Sequence, residues 1–117
     1  MCAVTESPPP RAAISEAALE VIFRETDVGN DGTETGGILL GFRADSFRVT
    51  VAGDPGRHAV RHEHSFLRDL RHSQHLAEAA WKRDRSQWIG EWHTHPTGPC
   101  HPSRADMLTY ARSGLFI

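Results

Sequence analysis

The sequence predicts one α/β domain built on a mixed sheet. Helical stripes and short apolar strand runs alternate along the chain in the order α-β-β-α-β-α. At 117 residues there is chain for a single core. No repeat, linker or compositional shift divides it, so the expected organisation is a disordered tail over 1–12 and one domain over 13–117.

Each element has a local reason. MCAVTESPPPR carries three consecutive prolines and reads as an extended, poorly ordered tail. Ser15 is placed to cap a helix whose apolar stripe is Ala18, Leu19, Ile22 and Phe23. Gly29, Asn30 and Gly32 end it in a turn. The run ETGGILLGF, with Ile38, Leu39 and Leu40 between glycines, reads as a buried strand, and FRVTVA (47–52) alternates as its hairpin partner. GDPGRH is a turn. Ser65 to about Arg83 reads as a longer helix, with Phe66, Leu70, Ala77, Ala80 and Trp81 inward. QWIGEWHTH is a strand stopped by Pro96, and Ser103 opens a last helix with Met107, Leu108 and Ala111 inward. GLFI begins a further strand where the sequence stops, so the core reads as incomplete at its C-terminal end.

Composition narrows the function. The formal net charge of −2 gives no basic field for nucleic acid. No apolar run approaches the ~20 residues of a membrane span. The N-terminus lacks the charged and apolar regions of a secretory signal. Two cysteines, Cys2 and Cys100, make no disulfide framework, which points to a reducing, cytoplasmic setting.

The chemistry concentrates in EWHTHPTGPCHPSRADM, residues 91–107. Side chains on a strand alternate, so His93 and His95 share a face and suit one zinc ion. Asp106, one turn into the following helix, is the natural third ligand, which leaves a fourth position for water. Such a site hydrolyses bonds if a further carboxylate serves as general base. Spacing offers both Glu91, on the face of the two histidines, and Glu34, which precedes the buried strand. Ser103 with Asp106 is also S-x-x-D, a relative of the helix-capping box. Capping and catalysis do not exclude each other there.

ETGGILLG (34–41), followed by HTHPTGPCHPSRAD (93–106), resembles the JAB1/MPN/Mov34 metalloenzymes, the JAMM or MPN+ domain. Their signature is a Glu before a glycine-containing apolar strand, then H-x-H, seven residues, and S-x-x-D. Residues 96–102 supply the seven, and WIGEWHTHP looks most like the small prokaryotic members. The resemblance covers nearly all of the chain from the first helix onward. It implies an MPN (JAB1) domain, a cytidine-deaminase-like mixed sheet flanked by helices, with its last strand missing here. It implies Zn2+ on His93, His95 and Asp106, Glu34 as the general base that holds the attacking water, and Ser103 as donor to the oxyanion. It makes Glu91 a residue outside the chemistry. The substrate class it implies is the C-terminus of a ubiquitin-like or sulfur-carrier protein, with E1- or E2-like proteins as possible partners. There is no room for the insertions with which eukaryotic members grip ubiquitin.

Two other classes compete. A non-catalytic MPN scaffold that binds a partner would ordinarily lack the ligands. A zinc nucleoside deaminase needs H-x-E and P-C-x-x-C, whereas Pro99–Cys100 is followed by His101, Pro102 and Ser103. Several other residues have plain expectations. His58, His62 and His64 read as a solvated loop, and His72 and His75 as the polar side of the long helix. Arg57, Arg61, Arg68 and Arg71 read by default as ordinary charged surface, and as a basic patch near the cleft otherwise. Trp88 and Trp92 are expected on the strand face opposite the histidines. Cys100 reads as a packed loop residue.

Overall fold

A computed structural model describes residues 11–28, 31–96 and 115–116. Its elements are β1 (Ala12–Ile14), α1 (Glu16–Val28), β2 (Gly36–Arg43), β3 (Phe47–Ala52), β4 (Val60–Arg61), β5 (Phe66–Leu67), α2 (Leu70–Asp84), β6 (Gln87–His93) and β7 (Leu115–Phe116). Five strands form one sheet in the order β1-β3-β2-β6-β7, and β4 pairs with β5 in a separate hairpin. The β1–β3 and β6–β7 pairings are parallel and the central ones antiparallel, so the sheet is mixed as expected. The strand read from GLFI pairs with β6, Gly90 opposite Leu115. The first strand starts within the stretch expected as tail, and the Phe47 N–H donates to the Arg11 carbonyl at 2.9 Å. Residues 1–10 and the helix expected from Ser103 lie outside the described residues. No helix among the described residues is long and apolar enough to cross a membrane.

The two helices cover opposite faces of the sheet. Leu39 packs with Ala18, Ile22, Val49 and Trp92 on the α1 side. Its neighbours Ile38 and Leu40 pack with Leu76, Ala77 and Ala80 on the α2 side. A strand buried on both faces needs continuous apolar character, which is why ILLG does not alternate. Helix α1 is capped as the sequence predicts: Ser15 Oγ accepts from the Ala18 N–H at 3.1 Å and donates to the Thr50 carbonyl at 3.0 Å. Its buried stripe uses Val21 in place of Phe23, which is 56% exposed.

The long helix begins later than its sequence suggests. Residues 66–67 are strand, and Asp69 is the N-cap, accepting from the His72 N–H at 3.1 Å. That N–H, with a smaller contribution from the His58 N–H, holds the Asp69 carboxyl below its usual range against some desolvation. The pairing of Phe66 with Arg61 outcompetes a helical turn at Ser65. Leu70 and Trp81 are consequently exposed, and the buried stripe of α2 is Ser73, Leu76, Ala77 and Ala80. The helix closes on Arg85 in the left-handed region, φ 65°.

Two bulges break the expected alternation. In β6, Leu39 pairs with Gly90 but Leu40 pairs with Trp88, which leaves Ile89 as the extra residue. Ile89 and Trp92 therefore face α1, and Trp88 faces α2. Trp92 lies opposite the histidines as predicted, and Trp88 does not. In β3 the extra residue is Thr50, whose carbonyl receives the Ser15 hydroxyl.

Candidate metal centre

Strand pairing brings the distant Glu34 to the two histidines. Gly36 pairs with His93 across β2 and β6. Beyond the ladder, the Thr94 N–H donates to the Thr35 carbonyl at 2.9 Å, and the Thr35 N–H donates to Thr94 Oγ1 at 3.1 Å. Thr35 follows Glu34 and Thr94 lies between the histidines, so this pair ties both halves of the cluster in one register. The close approach needs glycine at 36, because a Cβ there would meet the Trp92 carbonyl oxygen and come within 2.6 Å of His93 Cβ. Gly36→Ala should cost about 1–3 kcal/mol and displace His93. Thermal melting and zinc titration of the variant check this; wild-type values for both would show that the strands can part without consequence.

The ligand atoms of Glu34, His93 and His95 all lie within 4.8 Å of one another. The two imidazole Nε2 atoms are 2.9 Å apart, and Glu34 Oε1 is 3.8 Å from His93 Nε2. Glu34 is buried and both histidines are half-buried. Two nitrogens at 2.0–2.1 Å from one tetrahedral ion sit roughly 3.3 Å apart, so the pair is close to ready for a metal. The carboxylate oxygen stands beyond a direct hydrogen bond to His93 Nε2, which suits a carboxylate beside a coordination sphere. Two imidazoles with a carboxylate beside them fit a divalent ion such as zinc. Ser103, Asp106 and Cys100 lie outside the described residues.

Glu91 has a different setting. It is 6% exposed and forms an ion pair with Arg68. The Arg68 guanidinium also stands 5.4 Å from the centroid of the Trp88 ring. Of the four arginines expected as surface, Arg57 and Arg71 are exposed, but Arg61 and Arg68 are drawn inward. Arg61 Nε donates to the Glu34 carbonyl at 2.9 Å, and its guanidinium pairs with Asp31 at 3.4 Å. Nothing in the local sequence distinguishes these two arginines from their neighbours; only their place on the hairpin does. His58, His62 and His64 are exposed, as is His75. His72 is engaged: its Nε2 lies 2.5 Å from Asp54 Oδ1, which fastens the 53–59 loop to α2.

A mixed sheet between two helices, with a carboxylate and two imidazoles gathered at the adjoining ends of β2 and β6, defines an α/β domain with a candidate metal centre. The chain belongs to the family of prokaryotic homologs of the JAB domain, whose model matches residues 16–117. It is 33% identical over 81 residues to a CD-NTase/cGAS isopeptidase of Escherichia coli, covering 67% of this chain and 52% of that protein. A probable metalloprotease of Sinorhizobium fredii is 29% identical over 108 residues, covering 86% of this chain and 65% of its own length. The chain thus spans between about half and two-thirds of these relatives. The solution structure of a protein from Desulfitobacterium hafniense shares the fold, with a TM-score of 0.65 at 21% identity, covering 84% of this chain and 66% of that one.

Proposed function

We propose that the protein is a zinc-dependent isopeptidase or peptidase that cleaves at the C-terminus of a ubiquitin-like or sulfur-carrier protein in the cytoplasm. The observation that carries this reading is the convergence of Glu34, His93 and His95 within 4.8 Å. The names of the relatives, isopeptidase and metalloprotease, support the reaction class. His93, His95 and Asp106 would hold the ion. When bound, it supplies a Lewis acid that lowers the pKa of water and polarises the scissile carbonyl.

The remaining roles fall to the chain's own groups. Glu34 takes a proton from the attacking water as its oxygen adds to the carbonyl carbon. The Ser103 hydroxyl donates to the oxygen that becomes negative. As the C–N bond breaks, Glu34 returns the proton to the leaving amine, which leaves a free amine and a new carboxylate. The burial of Glu34 keeps bulk water from competing for that proton.

The reading is tested on the metal. One zinc per chain is expected by elemental analysis of the wild type, and none in the His93→Ala/His95→Ala variant. That variant should also fail to hydrolyse a fusion joined through a ubiquitin-like C-terminal tail. Full zinc occupancy in the double variant would remove the histidines from the site.

A further inference from the structure

We propose that Arg61 is a positioning residue for Glu34, and that the β4–β5 hairpin is the bracket that sets this carboxylate against the two imidazoles. The inference rests on the reading of Glu34 as the proton-transferring group. Glu34 precedes the first paired residue of β2, Gly36, so the ladder of the main sheet does not reach it. The hairpin holds its backbone instead. The Glu34 N–H donates to the His62 carbonyl at 2.7 Å, and the Glu34 carbonyl accepts from Arg61 Nε at 2.9 Å. The same guanidinium reaches Asp31 Oδ1 at 3.4 Å, a second contact that steadies it.

The other foot of the hairpin repeats the device. Arg68, just beyond β5, pairs with the buried Glu91, two residues before His93 on β6. One guanidinium thus reaches the segment that carries the carboxylate, and the other reaches the strand that carries the first imidazole. Arginine suits both positions. Its rigid fork lets Nε donate to a carbonyl while a terminal nitrogen reaches a carboxylate, whereas lysine offers only a point charge. A general base displaced by an ångström loses much of its advantage, so a residue lying off the end of its strand needs such a holder.

The test reads amide hydrogen exchange in the metal-free, isotope-labelled chain, and then turnover in the zinc-loaded chain. In Arg61→Met the Glu34 amide should exchange about tenfold faster, with the Ile38 and Leu39 amides unchanged. Arg61→Lys keeps the charge without the fork and should show a smaller acceleration; it also stands in if the Met variant does not fold. Arg71→Met, a change at an exposed arginine, should alter neither region. With the fusion substrate, Arg61→Met should lower kcat and leave KM unchanged. Unchanged exchange at Glu34 in the folded variants overturns the proposal. A raised KM with unchanged kcat also overturns it, since Arg61 would then be touching substrate. Exchange is read without metal or substrate. Faster exchange at Glu34 in a chain that cleaves nothing would therefore uphold the role of Arg61 while removing the hydrolase reading.

Discussion

Glu34→Gln is expected to lower hydrolysis of the fusion substrate roughly 100- to 10,000-fold, the range for loss of a positioned general base, while zinc content stays at the wild-type level. Glutamine keeps the shape and the backbone bonds to His62 and Arg61, so folding should be little changed. Only the capacity to take a proton is removed. Elemental analysis and steady-state kinetics on one preparation make the measurement. The outcome that matters most is the metal. If zinc leaves with Glu34→Gln, the carboxylate is a ligand and the general base must be sought elsewhere. Glu91 is the obvious alternative by spacing, but its carboxylate is buried against Arg68. Glu91→Gln should therefore act on stability and keep most of the turnover of the folded molecules.

Arg68→Met should produce the largest loss of stability. It strands the Glu91 carboxylate, whose side chain is 8% exposed, without its guanidinium. Removing one partner of a buried pair costs about 3 kcal/mol or more, because the remaining charge has neither water nor a counter-ion. Arg68 is itself 28% exposed, so the lower end of that range is expected, with a fall in melting temperature on the order of 10 °C. The second change Glu91→Leu, made in the Arg68→Met background, should recover much of the loss, since an apolar pair can replace a buried ion pair at little cost. A single variant that melts like the wild type would show that solvent already reaches Glu91 and that the pair is an ordinary surface contact.

Part of the candidate site could be read directly from the chain. Strand periodicity put His93 and His95 on one face, a rule that needs no tertiary information; β6 itself ends at His93, and the two imidazoles still converge. Ser15 could be read as a cap for the same reason: an N-cap and its first turn are neighbours in sequence. The buried strand at 38–40 was legible because a short apolar run without alternation, bounded by glycines, suits a strand covered on both faces. Glu34 could be singled out by resemblance, but spacing alone left it level with Glu91.

The tertiary structure decided what depends on pairing between distant segments. A bulge leaves no mark on residue type, so Trp88 and Trp92 looked equivalent until the register of β6 against β2 placed them on opposite faces. The sequence pattern started the long helix at Ser65, and the two-residue pairing of β4 with β5 moved its start to Asp69. Arg61 and Arg68 looked like surface because arginine is usually there; the hairpin turns them onto Glu34 and Glu91. The sequence by itself determined the fold class and the residue types at the candidate centre, because periodicity and local spacing are carried by neighbours along the chain. How close Glu34 stands to the imidazoles, and which arginine bonds its carbonyl, was decided only by the tertiary structure, because those contacts join segments tens of residues apart whose register no local rule sets.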